Sequence, residues 1–417
     1  MKRTRFLTIA TFLLLILLLC VYYPYIRDSH LNRGDFSLYE QMAINVQAIH
    51  DNVPLTPVAE SFYFVYPPLA TALFYLMYCM PTSFIVAWFI SIVLWLLVAD
   101  TYCFLYLKCN CIYRLILSFL FLAGLTDIHL LFARCDIFVA IVLFLAWESF
   151  DSRKYKMSTF FIMIAASLKI VPLVILPVLF FLTPPQKRAE IWNGILMAII
   201  TVSVIALFLF GIQNSFGVLL SPLAFHAERT VQLESTWSGI QILVSNLRGI
   251  PSKIVFDHGS YNNADLANGT KQIVTILLLS GLLFFYRLAW KLGKNSDVRS
   301  KFPPMLFSLM LWTIVISPVF SPQYLMWIFP LLFIWLFQKV FSKETIESKK
   351  ILLLFLCVWV AVSTRFIWPM WYESFAHQTS LLLICIHLSR SLAIFVIIFL
   401  LLSNCYSKVI MTKRNNL

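Results

Sequence analysis

Long apolar runs separated by short polar connections cover most of the chain. A helix that crosses the hydrocarbon core needs about 20 mostly apolar residues. Runs near 6–26, 83–107, 112–130, 137–150, 157–169, 170–182, 190–212, 271–290, 303–317, 323–341, 350–371 and 379–404 meet that need or approach it. The pattern predicts an all-α polytopic membrane protein with about 12 transmembrane or re-entrant helices. Segments 137–150 and 170–182 are short, and 157–169 with 170–182 reads as a broken or re-entrant element at Pro172. Two connections are long, 27–82 and 213–270. The first continues from Gly34-Asp35-Phe36 into Met42, Ile44, Val46 and Ile49, a pattern that suits a helix lying at the interface. Loops of such length usually carry function. The chain shows no internal repeat, no low-complexity stretch and no soluble domain, so it reads as one domain over 1–417.

Charge fixes the reading of an ambiguous stretch. The apolar run that follows Tyr66-Pro67-Pro68 and ends at Met80 has the composition of a span. Counting it as one would place Lys108, Arg114, Arg153, Lys154 and Lys156 outside, against the excess of Lys and Arg expected in cytoplasmic loops. Segment 67–80 is therefore expected as a short outer-face or re-entrant helix, begun by the paired prolines. With both termini cytoplasmic, 22 of the 32 basic residues fall on the inner side. Lys2, Arg3 and Arg5 precede the first apolar run. That run is long for a signal peptide and is followed by no small-residue cleavage site, so a retained first helix is expected. The large Leu19 before Cys20 argues against a lipoprotein signal.

Composition agrees with the pattern. Of 417 residues, 61% are hydrophobic and only 12% charged, against about a quarter charged in soluble domains. The net charge of +13 sits in short clusters between apolar runs, so it reports topology rather than a nucleic-acid partner. Nine scattered cysteines form no disulfide framework. The spacing of Cys109-Asn-Cys111 is short, and no His or Cys pair follows, so no metal centre is expected there.

Under this topology the polar residues that need explaining converge on the outer side: Asp35; Arg134 and Asp136; Lys169; His226, Arg229, Glu234 and Ser235; and Gln323 with Tyr324. A charge at membrane depth costs at least about 2.5–3.5 kcal/mol and usually faces a cavity or a partner. Each residue also has a plainer reading. Asp35 suits a helix start, Arg134 and Asp136 suit a mutual pair, Lys169 suits snorkelling, and His226 suits a solvated loop. Asp100, Arg365 and Arg390 fall outside the convergence and are expected to serve packing, pairing or topology. Taken together, the convergence predicts one polar cavity with phosphate-binding cations and a carboxylate.

The ordered set Gly34-Asp35…Tyr39, Tyr66-Pro67-Pro68-Leu69, Arg134-x-Asp136, Lys169-x-x-Pro172, His226-x-x-Arg229…Glu234-Ser235 and Ser321-Pro322-Gln323-Tyr324 resembles glycosyltransferase family 87 over roughly 34–324. That family contains polyprenyl-phosphate-mannose-dependent mannosyltransferases. A similar pattern occurs in the eukaryotic mannosyltransferase of glycosylphosphatidylinositol assembly. The resemblance implies a GT-C fold and transfer of a hexose, most commonly mannose, from a polyprenyl-phosphate-sugar donor to a lipid-linked or glycan acceptor on the extracytoplasmic face. It implies Asp35 as general base. Arg134, Lys169, His226 and Arg229 would hold the donor phosphate, and Tyr39, Tyr66, Asp136, Glu234, Ser235, Gln323 and Tyr324 would hold sugar or acceptor. Many GT-C relatives carry a paired acidic motif where this chain has one acid. That departure favours a base that works without a metal, so no cofactor is expected, although a divalent ion stays open. The implied setting is a bacterial inner membrane. Two other classes compete: a lipid-linked glycan flippase or transporter, and another lipid-linked transferase such as an O-antigen ligase or a phosphoethanolamine transferase. A transporter predicts polar residues through the full membrane depth and often internal repeats. A phosphoethanolamine transferase would add a soluble catalytic domain.

Overall fold

The computed structural model describes residues 2–29, 35–58, 62–266, 268–294, 298–340, 348–378 and 380–414. Gly34, the first residue of the Gly34-Asp35 pattern, lies outside them. The first helices are α1 (Lys2–Ser29), α2 (Asp35–His50), α3 (Pro68–Tyr78), α4 (Phe84–Leu105), α5 (Ile112–Leu125) and α6 (Ile128–Phe132). There follow α7 (Asp136–Asp151), α8 (Tyr155–Leu168), α9 (Ile175–Leu182) and α10 (Arg188–Glu228). Strand β1 (Val231–Gln232), α11 (Thr236–Leu247), β2 (Ile254–Asp257) and β3 (Ser260–Asn263) come next. The chain continues through α12 (Asn268–Leu292), α13 (Phe302–Ile316), α14 (Phe329–Val340), α15 (Ser348–Arg365), α16 (Tyr372–Ala376) and α17 (Leu381–Arg414). Helix makes up 79% of the structure, so the all-α expectation holds apart from one small sheet.

Among the described residues, six segments are long and apolar enough to cross a membrane: Arg5–Pro24, Phe84–Leu105, Pro185–Glu228, Gly269–Leu292, Ser348–Met370 and Leu381–Ser403. These make the chain a helical, membrane-embedded protein. Segment 67–80 contains an 11-residue helix rather than a full span, begun by Pro68 with Pro67 as its N-cap. That position tolerates proline because its N–H has no intrahelical partner. Helices α7 and α13 are apolar on nearly every side and almost wholly buried. A helix that is hydrophobic all round belongs inside a large protein. By contrast, α10 turns much of its apolar surface outward, with Phe208 and Ile212 both above 80% exposed.

Both long connections are more ordered than their sequence suggests. Stretch 27–82 holds α2 and α3. Stretch 213–270 begins as a continuation of α10, which bends at Gly211 (φ 65°, ψ 168°) and runs on to Glu228. Such a conformation is open to glycine and strained for other residues. The rest forms α11 and an antiparallel sheet of order β1-β3-β2. Asp257 faces Ser260 across a two-residue turn in which His258 (φ 47°) and Gly259 (φ 73°) both have positive φ. That backbone suits the twist of a tight hairpin.

The chain divides into two compact units. The first comprises Met1–Phe121, Ile128–Leu173 and Ala189–Arg229, and the second Leu122–Asp127, Val174–Arg188 and Thr230–Leu417. In the first, Tyr39 lies between Phe74 and Trp88, with ring centroids 4.4 Å and 5.2 Å away. The second has a cluster of Leu233, Ile242, Ile367, Phe375, Leu383 and Ile384.

Candidate functional site

In the first unit, Asp35 opens α2, where a carboxylate is favoured by the helix dipole. Its carboxylate forms an ion pair with the Arg134 guanidinium, which comes from the turn between α6 and α7. Both side chains keep 19% exposure, so the pair is partly accessible. One turn further along α2, Tyr39 is fully buried and its Oη accepts the Cys135 N–H at 3.4 Å. Burial pushes the Tyr39 phenol well above its ordinary pKa, with Cys135, Tyr66 and Asp136 adding to the effect. The phenol therefore stays protonated, and its role is to clamp α2 onto the 134–136 turn.

Asp136 is fully buried at the start of α7 and pairs with Lys169 Nζ at 3.3 Å. The backbone explains how the lysine arrives. Helix α8 ends at Leu168 and Lys169 is extended (φ −149°, ψ 127°), which turns its side chain off the helical path before Pro172. Lys169 Nζ also stands 4.9 Å above the Tyr66 ring, and Tyr66 meets Tyr39 edge-on at 5.5 Å. Asp35, Arg134, Asp136, Lys169, Tyr66 and Tyr39 thus form a continuous cluster. Arg134 and Asp136 each take an ion-pair partner from another element.

The second half of α10 brings two more cations. Ser221 Oγ donates to the Phe64 carbonyl, and Phe62 meets Phe225 at 5.5 Å. These contacts tie α10 to the 62–66 segment that carries Tyr66. His226 and Arg229 follow, and the charges of Arg229 and Lys169 both act on the His226 ring. The Arg229 guanidinium lies 5.9 Å from the Phe225 ring. The first unit therefore gathers one accessible carboxylate, one buried carboxylate and the four basic side chains Arg134, Lys169, His226 and Arg229.

The other expected residues belong to the second unit. Ser235 is buried, and its Oγ accepts the Ser238 N–H as the N-cap of α11. Glu234 is also buried. Around them lies a pair that the sequence reading left out of the site, His387 and Arg390 of α17, both fully buried. Arg390 Nη2 donates to the Glu234 carbonyl at 3.0 Å and to His387 Nδ1 at 3.0 Å. An Nδ1 that accepts leaves the proton on Nε2, which donates to the Ser235 carbonyl at 3.0 Å. Arg390 also lies over the Phe320 ring at 4.4 Å. This fits the structural role expected of Arg390. The signal for the pair is a His and an Arg spaced i, i+3 inside an apolar run, since ionisable groups in such runs seek partners. Gln323 and Tyr324 sit in a 3-10 turn, Pro322–Trp327, where both are buried and Tyr324 stacks on Trp327 at 4.6 Å.

Chemically, the first-unit cluster can accept a proton at Asp35 and hold an anion at its cations. The buried network of the second unit offers carbonyl and ring partners to one another. Among the described residues, the group of metal-capable side chains that lies close together is Cys103, Cys109 and Cys111, and it includes no member of either set. A scan against protein-family models finds no match to this chain, and a search of curated proteins finds none.

Proposed function

We propose that the protein is a membrane glycosyltransferase of the GT-C type, similar to family 87, that moves a hexose from a polyprenyl-phosphate carrier to a lipid-linked or glycan acceptor. The observation that carries this reading is the accessible Asp35–Arg134 pair set among further cations. An inverting single displacement on a lipid-phosphate sugar needs two things: a base for the acceptor hydroxyl and positive charge on the departing phosphate. Asp35 supplies the base and Arg134, Lys169, His226 and Arg229 the charge. An arginine side chain is suited to bidentate recognition of phosphate. When the donor phosphate arrives it competes for Arg134, and the Asp35 carboxylate is released toward the acceptor. Fixed cations aimed at developing charge are the largest single contribution in many enzymes.

The carrier's tail also finds a place in this reading. An apolar groove of about 500 Å³ runs between α1 and α4, lined by Ile16, Leu19 and Tyr23 on one side and Val86, Ile90 and Leu94 on the other. Trp88, which stacks on Tyr39, belongs to the same turns of α4. A polyprenyl chain in the groove would bring its phosphate toward the cluster. In the first unit, sugar or acceptor would be bound by Tyr39, Tyr66 and Asp136. The fuller reading has about 12 transmembrane or re-entrant helices, both termini in the cytoplasm and the site on the outer face of a bacterial inner membrane.

The test is to incubate purified protein with a panel of polyprenyl-phosphate sugars and to measure release of the polyprenyl phosphate. Release with one sugar, lost in Asp35→Asn, supports the proposal. Release in the variant at the wild-type rate removes Asp35 as the base. Transport of an intact lipid-linked sugar between leaflets of proteoliposomes, with no release, would replace the transferase reading by a flippase.

A further inference from the structure

The first unit contains a second chemical feature that the transfer reaction leaves unused. Helix α4 ends at Leu105, and the chain doubles back through Lys108, whose φ of 58° is rare for a residue with a side chain. The Cys109 N–H then bonds to the Cys103 carbonyl at 3.0 Å. Cys111 lies one residue before α5, and its carbonyl accepts the Arg114 N–H at 2.9 Å. The result is three sulfurs within 4.8 Å of one another, with Cys109 and Cys111 Sγ 3.4 Å apart.

We propose that Cys103, Cys109 and Cys111 form a three-thiolate site for a soft closed-shell cation of the zinc(II) type. Two sulfurs bound to zinc at about 2.3 Å in tetrahedral geometry stand about 3.8 Å apart. One separation is 3.4 Å and all three lie within 4.8 Å, a spacing compatible with such a site. Soft thiolate ligands select such ions over magnesium or calcium. Binding exchanges protons for metal: zinc(II) plus three thiols gives one zinc tris-thiolate of charge −1 and releases three protons, with no change of oxidation state. The excess negative charge has a counter-ion, because Arg114 acts electrostatically on both Cys109 and Cys111. The N-terminus of α5 beside Cys111 adds partial positive charge. Cys109 is only half-buried, so an ion can reach the cluster.

Glu148, whose charge is felt at Cys103 and Cys111, marks the cluster's position on α7. Asp136 begins that helix, and twelve residues of helix span roughly 18 Å. The thiol site and the Asp35 cluster are thus at opposite ends of α7, and the thiol end carries Lys108, Arg114, Arg153 and Lys154. In the proposed topology this end faces the cytoplasm, where thiols stay reduced and available to metal. Zinc there would pin the end of α4 to the start of α5.

The experiment uses full-length protein purified with reductant and desalted without oxygen. After incubation with zinc(II) and gel filtration, elemental analysis should find about one zinc per chain. Cys109→Ser should lose it, and Cys357→Ser, on α15, should retain it. Zinc should also slow maleimide labelling of Cys109 in the unmodified protein, a readout that requires no variant to fold. Cobalt(II) should give a sulfur-to-metal charge-transfer band that zinc abolishes. Arg114→Ala, which keeps all three sulfurs, should weaken zinc binding about tenfold, as loss of an outer-shell partner does. Zinc content that is negligible in the wild type, or unchanged in Cys109→Ser, would overturn the proposal. So would maleimide labelling that zinc does not slow.

Discussion

The two ion pairs of the Asp35 cluster should respond differently to loss of their cation. Lys169→Met removes an ion-pair partner of Asp136, which has 0% exposure, at a pair distance of 3.3 Å. A buried pair broken from one side typically costs about 3–5 kcal/mol, because the remaining charge stays desolvated. Lys169 itself is 12% exposed, and Cys135 Sγ stands 3.9 Å from the other Asp136 oxygen, so the lower end, about 3 kcal/mol, is expected. Arg134→Gln releases Asp35 at 19% exposure, where water replaces the lost partner and the cost is about 1 kcal/mol or less. For a cooperative unit of this size each kcal/mol shifts the melting temperature by about 2–4 °C. Thermal unfolding in detergent, followed by tryptophan fluorescence, should therefore show a drop of roughly 6–12 °C for Lys169→Met and no more than about 2–4 °C for Arg134→Gln. Replacing both charges, Lys169→Met with Asp136→Leu, should recover most of the loss, since no buried charge remains. Equal shifts for the two single variants, or a double variant less stable than Lys169→Met, would refute the assignment of Asp136 as a buried, lysine-held carboxylate.

The remaining predictions concern chemistry and packing. Asp35→Asn should lower sugar transfer by about 10²–10⁴ while the melting temperature stays close to wild type, because general-base catalysis has that magnitude and the Asp35 pair is accessible; transfer rate and melting curve measured on one preparation decide this. Ile90→Trp should fill the α1–α4 groove and raise KM for a long-chain polyprenyl donor more than for a short-chain analogue. Equal effects on the two donors would remove the tail from that groove. Gly239→Ala should destabilise by about 1–3 kcal/mol, the usual cost of overpacking, because the new methyl would collide with the His387 ring. A neutral Gly239→Ala melting curve would show that the His387–Ser235 contact yields at little cost.

Much of the fold was legible because apolar run length is a direct consequence of bilayer thickness. Expected runs 83–107 and 303–317 appear as Phe84–Leu105 and Phe302–Ile316. Segment 67–80, expected to be short, holds a helix of 11 residues. What run length cannot reveal is which runs stay inside. Helix α13 is as apolar as any span, but at 15 residues it is almost wholly buried by protein, and only its contacts show that. The ordered part of 213–270 was hidden for another reason. A two-residue strand such as β1 and a His-Gly turn have no periodicity to read, and their hydrogen-bond partners lie far away in sequence.

Site legibility follows the same division between local and non-local signals. An ionisable residue in an apolar setting is conspicuous, so Asp35, Arg134, Asp136 and Lys169 could be singled out and are gathered by the fold. Their partners could not be read, because pairing depends on where α8 ends and how the 134–136 turn is clamped by Tyr39. His387 and Arg390 carried the same signal in α17 but lay far from the motif order. The cysteines mark the limit of sequence spacing as a guide. Cys109 and Cys111 alone make a poor metal motif, and Cys103 looks like one more small apolar residue of α4. The reversal at Lys108 turns the three into a cluster, and a left-handed lysine leaves no mark in composition or period. A spacing argument sees only ligands on one continuous element. Where a helix end folds back on itself, a third thiol can come from the preceding turns, and the proposed zinc site rests on that geometry.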